Sequence, residues 1–251
     1  MTIKFNDKTL KEAVWGKESY GLLLILLLID YTILTLVNST RWGGLIRTLP
    51  VAVTVLFALH TSSAGRHLLR IAQGAVILSL AAGIAFAFSY DKNLAGITYL
   101  LVGLLLLITP VAILRRVLPK EDVDVETLFA AVDVYVIIGL IFSTLFIGIA
   151  YVCHAIGATP FLAQPPPTVH PPSDYVYLSF VTLTTVGFGD LTPLSDLARS
   201  VVVLEALIGQ IFLVTLVARL VSLYSRDNRN RPVITRERRR DRGEGDAPEA
   251  P

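Results

Sequence analysis

The residues best suited to chemistry in this chain are seven in a row, Thr184-Thr185-Val186-Gly187-Phe188-Gly189-Asp190. They lie in a non-helical gap between two apolar stretches of membrane-crossing length. The main-chain carbonyls of Thr185, Val186, Gly187 and Phe188 can replace the water around a cation only if they all point the same way. An ordinary extended strand alternates its directions, so some residues must leave the β region. Gly187 and Gly189 can take positive φ at little steric cost. The Thr185 hydroxyl would complete the innermost site. Asp190 would set a carboxylate at the outer mouth and raise the local cation concentration. A glycine-containing turn after a helix is the plain alternative; the whole heptapeptide in a re-entrant position favours cation coordination.

The elements that must position these residues are membrane helices. Hydrophobic residues make up 53% of the chain and charged residues 17%, against about 25% charged in a soluble domain. Apolar runs able to cross the roughly 30 Å hydrocarbon layer are expected at 21–37, 43–60, 67–89, 95–114, 134–155 and 197–223. The second contains Arg47 and Pro50, and a short helix whose arginine snorkels to the interface explains both. The fold class is therefore an all-α integral membrane protein with six transmembrane helices and a re-entrant pore helix and filter loop between the fifth and sixth. The first apolar run is too long and starts too late for a cleavable signal, and reads as an insertion signal.

Lysine and arginine placement sets the orientation. With six spans, Lys4, Lys8, Lys11, Lys17, Arg66, Arg70, Arg115, Arg116, Lys120 and the basic residues from Arg219 onward share one side. Both termini are expected in the cytoplasm, in a cell (inner or plasma) membrane. Between Lys120 and Arg199 the chain has no lysine or arginine, so a cation path there meets no positive side chain. Cys153 is the only cysteine, which excludes an intrachain disulfide. Asn38-Ser39-Thr40 matches a glycosylation sequon, a triplet frequent by chance.

The heptapeptide resembles the selectivity filter of potassium channels, differing from the familiar signature by phenylalanine for tyrosine at Phe188. Residues 134–223 resemble the pore module of bacterial potassium channels of the two-transmembrane pore-domain family, preceded here by four further helices. The resemblance implies a homotetramer, since one short strand cannot surround an ion, with potassium passing through the carbonyls of Thr185, Val186, Gly187 and Phe188. It implies a pore helix at 174–184, N-capped by Asp174 and containing Tyr177, Thr182 and Thr184, after a proline-rich outer loop at 157–173. Tyr177 and Leu178 stand where relatives often carry filter-bracing tryptophans. Val181 occupies a position where some carry a glutamate paired to the filter aspartate, and Phe188 lacks the hydroxyl that ties the filter to its surroundings. Gly209, nineteen positions after Asp190, matches the hinge glycine of the inner helix, with close packing as the equal alternative. Gln210, Leu213, Val217 and Val221 would line the cavity or gate.

Two acids fall inside spans, Asp30 and Glu205. Glu205 points about 140° away from Gln210 at about 100° per residue; a hydrogen bond to Ser179 or Thr182 of the pore helix, or proton sensing, would explain it. Asp30 would pair with Arg70 or another basic group, or hydrogen-bond a neighbouring helix. The fourth span has no arginine before Arg115, whereas voltage sensing needs arginines in the field, each worth about 2.3 kcal/mol per 100 mV. The chain divides into a cytoplasmic segment (1–19), a four-helix domain (20–116), an interfacial linker (117–132), the pore domain (133–224) and a basic tail (225–251). The tail would hold anionic lipid head groups or simply set topology. His60, His67, His154 and His170 are scattered; the last two would face the outer side, tuning acid sensitivity or merely packing. Neither an enzyme, nor a cofactor, nor a nucleic-acid partner is expected. The function expected is passive potassium transport, with a non-selective cation channel or a non-conducting scaffold or regulatory subunit as alternatives.

Overall fold

A computed structural model describes residues 20–37, 43–62, 65–89, 92–117, 125–164 and 169–229. The described residues form seven helices: α1 (Tyr20–Leu36), α2 (Gly43–Thr61), α3 (Arg66–Ser89), α4 (Lys92–Val117), α5 (Val125–Ala155), α6 (Pro172–Leu183) and α7 (Asp196–Arg229). No strand occurs among them beyond a single antiparallel bridge, Leu162 to Pro193. α2, α3, α4, α5 and α7 are each long and apolar enough to cross a membrane, and α1 is a shorter apolar helix of 17 residues. The sequon at 38–40, the prolines at 165–167 and the tail from 230 lie outside the described residues.

Each helix buries the stripe its sequence supplies. In α1 the buried side chains are Tyr20, Leu23, Leu27, Asp30 and Leu34, a three-four spacing that keeps one narrow face turned inward. Arg47 of α2 does not snorkel as expected. It is buried, its Nη2 donates to the carbonyl of Val37 at 2.8 Å, and its guanidinium lies over the Tyr99 ring. The chain end of α1 presents unpaired carbonyls and negative dipole, and a guanidinium satisfies both. Asp30 forms no ion pair among the described residues, and Arg70 is exposed. Both carboxylate oxygens of Asp30 are buried without a hydrogen bond, near the Thr54 hydroxyl.

The four-helix part is joined to α5 through glycines. A Cβ at Gly96 would stand 2.8 Å from that of Tyr151, one at Gly103 2.8 Å from the Thr144 hydroxyl, and one at Gly148 2.6 Å from Leu100. Small residues let α4 and α5 approach to backbone distance, which is how membrane helices gain contact when lipid offers no hydrophobic incentive. α5 runs unbroken over 31 residues, about 46 Å at 1.5 Å per residue. Residues 125–132, placed in the linker by sequence, are its first two turns. α5 therefore forms a rigid wall against which α6 and the loop after it are built.

Candidate functional site

The loop after α6 departs from regular structure in an alternating pattern. Thr185, Gly187 and Gly189 have φ of 60°, 57° and 79°. Left-handed residues alternate with ordinary ones, which breaks the alternation of carbonyl directions that a regular strand would have. The glycines were expected to do so, but Thr185 was not. An L-residue in that region costs roughly 1–2 kcal/mol, so a threonine is held there by its surroundings.

Those surroundings are the last turn of α6. The amide of Thr184 donates to Phe180 O at 3.0 Å and that of Thr185 to Thr182 O at 3.0 Å. The amides of Val186 and Gly187 both donate to Val181 O, at 2.9 and 3.3 Å. The amides thus face the helix, and among the described residues no hydrogen bond is accepted by the carbonyls of Thr185 to Gly189. Val186 and Phe188 are exposed, as a strand on the rim of a single chain must be. The Thr184 hydroxyl turns away to Phe180 O at 2.6 Å.

The outer end is braced from the same helix. The Tyr177 hydroxyl reaches both carboxylate oxygens of Asp190 at 3.0 and 2.9 Å. Its ring lies parallel to that of Phe188, centroids 6.3 Å apart. One residue thus ties down both the aspartate and the phenylalanine whose own hydroxyl is missing. Beyond Asp190 the chain zips to the outer loop: Ala163 N donates to Thr192 O, Leu194 N to Phe161 O, and the Gln164 amide exchanges two bonds with Thr192. Sequence reasoning passed over Gln164, and a single amide among prolines carries no pattern that would have marked it.

Asp174 does not cap α6. The helix starts at Pro172, with Pro171 at the cap position and no side-chain cap bond; proline suits a first turn whose N–H is unpaired anyway. Asp174 instead accepts from His170 Nδ1 at 2.9 Å, while His170 Nε2 contacts Gln164 O at 2.9 Å. His170 is buried in this bridge, and His154 is exposed.

Residues 132–226 match a family model described as "Ion channel". This similarity supports an ion channel: a multi-pass membrane protein engaged in transport. It spans a little over a third of the chain and includes α6, the loop and the described part of α7 to residue 226. No curated protein and no solved structure matches the chain.

The floor of the channel-like unit is set by α5 and α7. The Tyr135 hydroxyl donates to Leu183 O at 2.9 Å, the carbonyl at the end of α6. Gly139 lies under the Phe180 ring, where a Cβ would meet ring atoms at 2.8–3.1 Å. Gly209 abuts Leu183, with a Cβ position 2.4 Å from Leu183 Cδ1; its geometry is that of close packing. Glu205 is fully buried, and its Oε1 meets the hydroxyl of Ser179 rather than Thr182. Gln210, Leu213 and Val217 are exposed on another side of α7. Val221 lies in α7, its side chain outside the described residues.

Proposed function

We propose that the chain is one subunit of a potassium-selective channel in which four copies surround a common axis. The observation that carries this reading is the alternation of positive φ at Thr185, Gly187 and Gly189, with amides tied back to α6 and carbonyls left without partners. Carbonyls aligned this way serve no purpose inside one chain, whereas four such strands make a stack of oxygen rings that replaces a hydration shell. α7 supports the assembly. Leu204, Leu207, Ile208, Ile211, Val214 and Val217 are all exposed, a breadth of apolar surface that neighbouring subunits and an ion cavity would divide between them. α6 aims the negative end of its dipole at the floor of the filter, favouring a cation below it.

Both termini lie in the cytoplasm, by the placement of lysine and arginine. α1 to α4 form a packed domain, and α4 has no arginine between Lys92 and Arg115, so strong voltage gating is not part of this reading. Anionic lipid at the basic tail belongs to it as a secondary feature.

Purified protein in a planar bilayer, with potassium on one side and sodium on the other, should reverse its current near the potassium equilibrium potential. Reversal near zero with sustained current would make the pore non-selective and overturn the potassium reading. Chemical cross-linking in the bilayer should stop at four chains; a conducting monomer would be incompatible with one filter strand per chain.

Tyr177→Phe keeps the ring against Phe188 and removes both bonds to Asp190. Its current is expected to decay faster during sustained opening, with assembly unchanged. Decay rates equal to those of the parent protein would mean that Asp190 is held by another group.

A further inference from the structure

Ser179 occupies the middle of α6 with its hydroxyl completely buried between two oxygens. One is the main-chain carbonyl of Gly139 in α5, at 2.8 Å. The other is Oε1 of Glu205 in α7. A serine hydroxyl has a single proton to give. The Gly139 carbonyl can only accept, so its contact uses that proton. The contact with Glu205 then needs a second proton, and only the carboxyl group has one to supply.

The opposite assignment fails on two counts. If Ser179 donated to an ionised Glu205, Ser179 Oγ and Gly139 O would face each other at 2.8 Å with no proton between them. The second carboxylate oxygen, Oε2, is buried with no hydrogen-bond partner, a position that charge tolerates poorly. Among the described residues no basic group forms an ion pair with it. α1, α5 and α6 contain no lysine or arginine, and the acids of those helices are Asp30, Glu126, Asp133 and Asp174. His154 sits in the last turn of α5, exposed. Tyr135 of α5 lies within electrostatic reach of Glu205, and its hydroxyl is committed to Leu183 O.

We infer that Glu205 is held as the neutral acid and is a positioning residue of the filter: it donates to Ser179, which donates to Gly139. This chain of two hydrogen bonds joins α7 through α6 to α5 behind the filter. It fixes the rotation of α6 two residues before Val181, whose carbonyl holds the amides of Val186 and Gly187. The role in filter geometry rests on the channel reading; the proton on Glu205 does not.

Infrared spectra of the full-length protein in lipid, compared with those of Glu205→Gln, test the proton directly. One carbonyl band of a protonated carboxylic acid should vanish in the variant. Loss of an ionised-carboxylate band instead would overturn the inference, whether or not the protein conducts. The positioning role is read from current in parallel. Glu205→Ala should lower potassium current at least about tenfold, the scale of losing one buried hydrogen bond. Glu205→Gln, whose amide can donate to Ser179 in the same place, should restore most of it. A glutamine variant as impaired as the alanine one, in protein that assembles equally well, would overturn the positioning role. Absence of current in the parent protein would instead count against the channel reading and leave the infrared result to stand by itself.

Discussion

Gly187→Ala is expected to abolish selective potassium current while leaving the assembled protein intact. Gly187 has φ of 57°, and an alanine there carries a penalty of roughly 1–2 kcal/mol in each subunit. A ring of four copies multiplies it, to about 4–8 kcal/mol against the one geometry in which all carbonyls converge. Within one chain nothing lies within 4 Å of a Cβ at this position, so the intrachain cost is conformational. Thr185 already bears such strain, held by the hydrogen bond from its amide to Thr182 O and by the two that the amides of Val186 and Gly187 donate to Val181 O. The penalty at 187 adds to one already present. The measurement is bilayer current under opposed potassium and sodium, with size-exclusion chromatography to verify assembly. Unchanged selectivity would mean that these carbonyls do not coordinate the ion.

The second large effect belongs to packing. Gly139→Ala would put a methyl group 2.8–3.1 Å from three atoms of the Phe180 ring. The ring is confined on its other side by Tyr31 of α1, in an edge-on contact with centroids 5.1 Å apart. A methyl group there displaces the tip of this half-buried ring or shifts α6, and overpacking of this kind costs about 1–3 kcal/mol. The same shift would disturb the Gly139 carbonyl that receives the Ser179 and Ser143 hydroxyls. A fall in thermal midpoint of several degrees is expected, at roughly 2–4 °C per kcal/mol for a chain of this size. Gly74→Ala serves as the control: it meets nothing within 4 Å, and in an exposed helical position alanine is the better former. Equal midpoints for the two variants would show that α6 is not seated on Gly139.

These two effects differ in how visible they were beforehand. Gly187 stands in a contiguous motif, and its requirement for positive φ follows from the chemistry of aligned carbonyls. Gly139 is one glycine in a long apolar helix, and only its distance from Phe180 distinguishes it. Glu205 lies between these cases. An acid in a span draws attention by itself, and Ser179 and Thr182 were both reachable from it; choosing Ser179 took the rotation of α6. Arg47 was misplaced for a related reason: a lone arginine in an apolar run fits snorkelling until Val37 O is found 2.8 Å away.

What the sequence determined by itself was local: the heptapeptide 184–190 with its glycines, the apolar runs that became α1 to α5 and α7, and the absence of lysine and arginine between Lys120 and Arg199. Each of these is written in consecutive residues, where main-chain geometry, helix length and charge need no partner to be defined. The tertiary structure decided the pairings: Tyr177 with Asp190, His170 with Asp174, Ser179 with Glu205 and Gly139, and Arg47 with the end of α1. In a soluble helix the polar face marks which side turns outward. Here lipid-facing and buried positions are both apolar, as buried Ile137 and exposed Leu128 and Val132 in α5 illustrate. Hydrophobic periodicity therefore leaves helix rotation undefined, and a turn of about 100° replaces every cross-helix partner.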